Sequence, residues 1–245
     1  MQPQENISEL NEREYLACEK RWVFLLLMLV AGFFGGFTFL IRGGVFCNAQ
    51  TANLVLLALS AAEGNWSRAL YLLMPVSAYI LGAFVSEYVP LAIKRKLLLR
   101  WETLFIALET GAVIFLALLP ETAPHQISQV IINFICSMQY NTFRQAESVP
   151  MATTFCTNHV RQVGVALSNL LRHRGKAPHA SKLAQHGAML AAFILGAFSA
   201  AVLTRVFLGK AMFFAVIPLA VILANLLRAD LKTEKGLVHR KPHGH

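Results

Sequence analysis

Side chains that can bind a polar ligand gather at three places in an otherwise apolar chain. Two are the starts of short segments, residues 48–61 and 153–171, and the third is the end of the apolar run 127–143. The first backbone N–H groups of a helix lack partners and the helix dipole adds positive potential there, so such starts attract anions and carbonyl oxygens. The predicted solute-binding residues are Thr51, Asn53, Gln139, Asn141, Thr157, Asn158, His159 and Arg161.

A purely structural role is also open to several of these residues. Thr51 and Thr157 can act as helix N-caps and the amides can satisfy buried backbone groups, which is compatible with ligand binding. Gln139 and Asn141 cannot face lipid at low cost, so we expect at least one of them to point into the helix bundle. Arg161 follows within one turn on the second short segment, where it could contact an anionic solute.

One carboxylate lies in the middle of an apolar run. Glu109 falls within residues 103–119, where removal from water disfavours the charged form of a carboxyl group. Burial therefore permits Glu109 to couple transport to protons, which is its expected role. The structural alternative is an ion pair with an arginine or a hydrogen bond to a hydroxyl group. The tail histidines His239, His243 and His245 are more typical of a disordered segment than of a metal tract.

The sequence contains no motif for a nucleotide cofactor, a catalytic zinc or a serine nucleophile. We therefore expect neither an enzyme nor a bound cofactor or metal ion. A membrane enzyme would need an acid and a base with a nucleophile or metal beside them, and only His159 and Glu109 offer themselves as such a pair.

Composition places the chain in a membrane. Of 245 residues 56% are hydrophobic and 14% are charged, whereas an average soluble chain has about 25% charged residues. A hydrocarbon core about 30 Å thick requires roughly 20 apolar residues in a helix. Six runs approach this length, and they cover residues 22–41, 70–93, 103–119, 127–143, 183–207 and 211–227.

The distribution of basic residues predicts how these runs cross. The net charge of +9 does not indicate nucleic-acid binding, because the Lys and Arg residues cluster beside the apolar runs. If both short segments fail to cross, all but four of the 22 Lys and Arg residues lie on the cytoplasmic side. The positive-inside rule therefore favours six crossings. Segment 48–61 is about 21 Å long as a helix, too short to span, and segment 153–171 is too polar.

An internal repeat relates the two halves, residues 22–119 and 126–228. The pentapeptide Ile-Leu-Gly-Ala-Phe occurs at 80–84 and again at 194–198, and Thr51-Ala52-Asn53 lies opposite Thr157-Asn158-His159. Three crossings in each half would give the halves opposite orientations in the membrane. Inverted repeats with short helices in matching positions are typical of secondary transporters with a site near the midplane, although a duplicated gene could also encode a structural protein.

Stretches 43–53, 138–144 and 152–159 resemble the YoaK family of bacterial membrane proteins, and the similarity extends from about residue 20 to residue 228. The resemblance implies a six-helix integral membrane protein of unknown function and supplies no substrate. The family pattern is Thr-Gly-Asn in both short segments, whereas this chain has Ala52 in the first and Asn158-His159 in the second. Without these glycines a ligand cannot approach the backbone as closely.

The sequence thus predicts an all-α membrane protein with six transmembrane helices and two short half or re-entrant helices in an inverted 3+3 repeat. A cytoplasmic leader (1–21) precedes a single membrane domain (22–228) and a basic cytoplasmic tail (229–245). We expect a small-solute transporter or permease in the bacterial inner membrane, with both termini cytoplasmic. Its expected partners are the lipid bilayer and a small solute, with anions as candidates. A second copy of the chain, in a homodimer, is a further candidate partner. The alternative is a structural or regulatory membrane protein that transports nothing.

Overall fold

The chain folds almost entirely into helices, and the computed structural model describes residues 15–93, 98–172 and 177–244. Apolar segments in lipid must satisfy every backbone hydrogen bond internally, which a helix does within one segment. The helices are α1 (Arg21–Ile41), α2 (Gln50–Ala62), α3 (Trp66–Ile93), α4 (Trp101–Leu118), α5 (His125–Thr142), α6 (Thr157–Arg172), α7 (Ala177–Phe207) and α8 (Phe213–Arg228).

Short elements join these helices. A two-stranded antiparallel hairpin, β1 (Gln145–Ala146) and β2 (Val149–Pro150), separates α5 from α6. Single helical turns precede α1, link α7 to α8 and follow α8, and they span Ala17–Glu19, Leu208–Met212, Ala229–Thr233 and Lys235–Leu237.

Four segments of the described chain are long and apolar enough to cross a membrane: Arg21–Ile41, Trp66–Ala92, Trp101–Leu118 and Ala177–Thr233. The last one contains both α7 and α8, which correspond to two of the predicted runs. The predicted run 127–143 corresponds to α5, which is not among the four. The membrane character of the chain is therefore clear, while the predicted count of six crossings stays a prediction.

Two helix pairs pack with their backbones in direct contact, α1 along α7 and α3 along α5. On α7, a Cβ atom added to Gly196 would meet the carbonyl group of Leu29 on α1. On α3, a Cβ atom added to Gly82 would meet the carbonyl oxygen of Phe134 on α5. Both glycines are the central residues of the repeated pentapeptide. Gly32 on α1 likewise contacts the backbone of Phe193, so this helix uses small residues for close packing.

Helix α2 starts inside the protein. Gly43 and Gly44 have φ values of +81° and +70°, a conformation that glycine adopts without strain, and they turn the chain back after α1. The following loop is buried, and the side-chain N–H of Asn48 donates to the carbonyl of Ala31 at 3.1 Å. Since Ala31 is halfway along α1, helix α2 begins beside the middle of that helix.

The C-terminal tail is folded onto one end of the bundle. The buried Arg100 guanidinium lies 2.9 Å from Glu234 and 3.5 Å from Asp230, and it donates to the carbonyl of Leu237 at 2.8 Å. His243 bonds the buried carboxylate of Glu19 through its backbone N–H and its ring, both at 2.7 Å. The expectation of a disordered segment at the tail histidines is thus wrong for His239 and His243, because the tail is held by these buried charged groups. His245 lies outside the described residues.

Candidate functional site

The first group of predicted site residues lies at the start of α2. Asn53 is fully buried, and its amide N–H donates to the carbonyl of Phe46 at 2.7 Å and to Gln50 Oε1 at 3.3 Å. Gln50 in turn donates to Asn133 Oδ1 on α5 at 2.6 Å. Oδ1 of Asn53 has no partner within the described part of the chain. The side chain of Thr51 faces the protein surface.

The second group lies at the start of α6 and is built in the same way. His159 is buried, and its Nε2 bonds the carbonyl of Ala152, seven residues upstream, at 2.8 Å. Asn53 bonds Phe46 across the same sequence separation. His159 Nδ1 lies 2.9 Å from Nδ1 of His186 on α7. Burial lowers the pKa of His159, against the opposing effect of its bond to Ala152.

Thr157 and Arg161 are on the surface of α6 rather than in the interior. The Arg161 guanidinium donates to Oδ1 of Asn158 at 3.1 Å, and Asn158 is half-buried. An exposed position suits Thr157 as a helix N-cap and Arg161 as a residue at the edge of a water-filled pocket. Contact with lipid would be costly for the charge of Arg161. We infer that this face of α6 meets water or headgroups.

Gln139 and Asn141 connect α5 to its neighbours. Gln139 is buried and donates to the carbonyls of Thr153 at 2.9 Å and Leu27 at 3.4 Å, while its Oε1 has no partner among the described residues. Asn141 donates to Ser86 Oγ at 2.9 Å and to Glu87 at 3.1 Å. The expectation that at least one of the two amides points inward is confirmed by Gln139.

A pocket of about 270 Å³ lies between the end of α5, the hairpin and the start of α6. It brings together Asn141 and Asn158 from the predicted set. Arg144 also lines it and is bonded to Glu87 at 2.6 Å and to Asn141 Oδ1 at 2.8 Å. The full lining is Tyr140, Asn141, Arg144, Pro150, Met151, Ala152, Phe155 and Asn158.

The predicted residues therefore form two separate groups, one at the start of α2 and one at the start of α6, rather than one continuous site. Each group contacts α5. The first group meets α5 at Asn133 and the second at Gln139, six residues or about 9 Å further along the helix axis. Glu109 forms no hydrogen bond to either group within the described residues. It is fully buried on α4, and neither carboxyl oxygen has a partner within residues 15–93, 98–172 and 177–244.

Three polar residues escape the sequence reasoning: Gln50 and His186, which belong to these groups, and Gln129 on α5. Gln129 donates to the carbonyl of Arg42 at 2.6 Å and to the Tyr71 hydroxyl at 2.5 Å. It precedes Asn133 by one helical turn, and this i, i+4 spacing of amides on an apolar helix is a usable signal. His186 follows Gln185 near the start of a long apolar run, and no spacing marks it.

Metal binding finds no support in the described residues, which hold no cluster of three or more His, Cys, Asp or Glu side chains. His159 and His186 contact each other, but no third His, Cys, Asp or Glu side chain among the described residues completes a cluster with them.

Comparison with known families places the chain. A family model described as a protein of unknown function, DUF1275, matches residues 23–225. The chain belongs to the DUF1275 family. The matched region of this DUF1275 protein contains all of the predicted site residues as well as His186. No curated protein and no solved structure is similar enough to match it.

Proposed function

We propose that this DUF1275 protein is a small-solute transporter of the bacterial inner membrane, with six crossings, two re-entrant helices and both termini in the cytoplasm. The resemblance to the YoaK family agrees with this architecture and names no solute. In this proposal α2 enters from the periplasmic side and α6 from the cytoplasmic side.

Contacts at the two ends of the bundle support this topology. At one end Gln129 joins the carbonyl of Arg42 to Tyr71, near the end of α1 and the start of α3. At the other end Arg144 bonds Glu87, near the end of α3. The chain thus returns between α1 and α3 to the level where α1 ended, which a re-entrant α2 explains and a crossing α2 does not.

Reciprocal contacts support the inverted repeat. The glycine of the first pentapeptide, Gly82, packs on Phe134 in the second half, and the glycine of the second, Gly196, packs on Leu29 in the first half. The two bonds that span seven residues, from Asn53 to Phe46 and from His159 to Ala152, are a second matched pair. A pseudo-two-fold axis in the membrane plane would produce both pairs.

The transport proposal rests on one observation: among the described residues, several buried side-chain oxygens around the two short helices have no hydrogen-bond partner. Oδ1 of Asn53, Oε1 of Gln139 and Oγ1 of Thr153 have no protein partner within the described residues. Buried polar atoms are nearly always paired, and unpaired ones call for water, an ion or a ligand. A polar solute that moves past these three oxygen atoms would offer each of them a hydrogen-bond partner in turn.

The neighbouring pocket indicates the kind of solute. Its volume of about 270 Å³ suits a small molecule at the lower end of the range for ligand sites. Arg144 lines the pocket and Arg161 bonds its rim residue Asn158. We therefore favour a small anion, for which two guanidinium groups supply charge-assisted hydrogen bonds.

A structural or regulatory protein is the second candidate, and one observation favours it. Asn53, Gln139 and His159 each bond a backbone carbonyl of a buried loop, and such bonds could serve only to hold the halves together. Catalysis is not part of our proposal, and a homodimer stays a prediction.

Uptake into proteoliposomes, screened over small anions and neutral metabolites, tests the transport proposal. Asn158→Ala and Arg161→Ala should reduce the rate of the transported solute at least tenfold, because they remove groups at the pocket rim. Ser168→Ala, an exposed position on the same helix, is the matched control and should leave the rate unchanged. Absence of uptake for the whole screen, or equal rates in all three variants, would contradict the proposal.

A further inference from the structure

The buried histidine pair has one arrangement of hydrogens in its neutral form. His159 Nε2 faces a carbonyl oxygen, that of Ala152 at 2.8 Å. A carbonyl can only accept, so Nε2 of His159 must carry the hydrogen. In the neutral ring Nδ1 is then an acceptor, and the hydrogen in the 2.9 Å contact must come from Nδ1 of His186. The bond between the rings therefore runs from His186 to His159.

This bond cannot survive full protonation. When both imidazoles are charged, all four ring nitrogens carry hydrogens, and the two Nδ1 atoms would point hydrogens at one another across 2.9 Å. Both rings are almost completely removed from solvent, so water cannot stabilise the charges in place. Separation of α6 from α7 would relieve this repulsion and bring both rings into contact with water.

The charged groups around the pair do not stabilise its protonation. Lys182 lies one turn before His186 on α7 and repels a second positive charge. On α6, Arg161 is also cationic and bonds Asn158. On α1, Arg21 is paired with Glu147, so that carboxylate is engaged elsewhere. The loop before α6 contributes the half-buried thiol of Cys156, and burial raises its pKa to about 11, which keeps it neutral.

The corresponding position in the first half lacks this chemistry. Asn53 bonds the carbonyl of Phe46 as His159 bonds that of Ala152, but an amide does not titrate. The two short helices are thus anchored alike, and of these two anchors the one on α6 is made by imidazoles, which can take up a proton as the pH falls.

We propose that His159 and His186 form a proton-operated latch, which holds α6 on α7 when neutral and releases it when protonated. The latch itself stands on the histidine geometry. Its role, opening the cytoplasmic side of the solute site beside Asn158, rests on the proposed transport function.

The full chain in detergent micelles, labelled with ¹⁵N at its eight histidines, tests the latch without any solute. At pH 8 one ring should be the Nδ1–H tautomer and one the Nε2–H tautomer, with a scalar coupling between the two Nδ1 atoms. The coupling should vanish as the pH falls to 5. Two Nε2–H rings without coupling at pH 8 would overturn the proposal.

Hydrogen exchange of the same protein measures the release of α6. Corrected for intrinsic rates, the amides of residues 160–166 should exchange roughly tenfold faster at pH 5 than at pH 8, since local opening sets their protection. His159→Asn places the residue of the first half at this position, keeps a donor for Ala152, and should make the exchange independent of pH. His186→Gln serves as a second variant with the same expectation.

The two proposals fail separately. Release of α6 with pH in a protein that takes up no anion would retain the latch and remove the transport function. Constant exchange of residues 160–166 from pH 8 to pH 5 in the wild-type protein would remove the latch, whatever the uptake assay shows.

Discussion

Adding one methyl group at Gly196 should separate α1 from α7. A Cβ atom there would overlap the Leu29 carbonyl oxygen and lie 2.9 Å from the Leu29 carbonyl carbon and from the Phe33 nitrogen. Ordinary contact begins near 3.4 Å, so these backbone atoms would have to retreat by about 0.5 Å and the oxygen by more. Because the obstacles are backbone atoms of a helix, no side-chain rotation can relieve the overlap.

The expected cost lies at the upper end of the range for overpacked cores, about 3 kcal/mol. At roughly 2–4 °C per kcal/mol for a chain of this size, the unfolding midpoint of Gly196→Ala should fall by about 6–12 °C. Gly82→Ala, at the matching position of the first half, should behave alike because it meets the backbone of Phe134. Thermal unfolding in a mild detergent, followed by the loss of the monodisperse chromatographic peak, measures both midpoints.

Gly187 and Gly111 supply the control substitutions. Nothing lies within 4 Å of a Cβ atom added at either position, and alanine favours the helix by about 1 kcal/mol over glycine. Both variants should be unchanged or slightly more stable. If Gly196→Ala or Gly82→Ala matched these controls, the reasoning from close helix approach would be refuted.

Three further substitutions probe the charged and titratable groups. Arg100→Ala should destabilise the protein by about 3–5 kcal/mol, because it strands two buried carboxylates, and proteolysis should then release the tail, whereas the exposed Lys232→Ala should not. Burial lowers the pKa of His159, so the unfolded chain binds this proton more readily than the folded one. The thermal midpoint should therefore drop below about pH 6.5, and a drop of equal size in His159→Asn would contradict the assignment. Glu109→Gln should fold with a midpoint within about 2 °C of the wild type, because the carboxyl group has no partner to lose. If Glu109 couples transport to protons, this variant should lose the pH dependence of uptake, and retention of that dependence would exclude the role.

Much of the fold follows from the sequence because lipid simplifies the physics. Long apolar runs in a bilayer form helices, because a helix satisfies all backbone hydrogen bonds within one segment. The predicted runs correspond to α1, α3, α4, α5, α7 and α8. The short segments correspond to α2 and α6, and their failure to cross stays a prediction from their length and polarity. Polar residues within α5 keep it outside the set of clearly membrane-spanning segments, and the same residues made it a candidate for the site.

The site was less accessible to sequence reasoning, because a helix start does not reveal which side chains turn inward. Thr51 and Thr157 occupy the starts and face the surface, while Asn53 and His159, two residues later, are buried. A rotation of 100° per residue separates these positions, and the loop before each helix fixes which one faces the core. His186 joins the site only through the packing of α7 against α6, a long-range contact that no local pattern encodes.

The two ends of an amide group let one residue serve both candidate functions. Asn53 uses its N–H to hold the buried loop at Phe46, and its Oδ1 is the acceptor that a solute or water would meet. Loss of uptake in Asn53→Ala would therefore not distinguish a binding residue from a structural one, because alanine removes both ends. Asn158 contributes to the pocket with its Oδ1 bonded to an exposed arginine and no buried loop attached to it. Its removal changes the pocket rim while the interior anchors remain, so variants at Asn158 separate transport from folding more cleanly than variants at the more deeply buried amides.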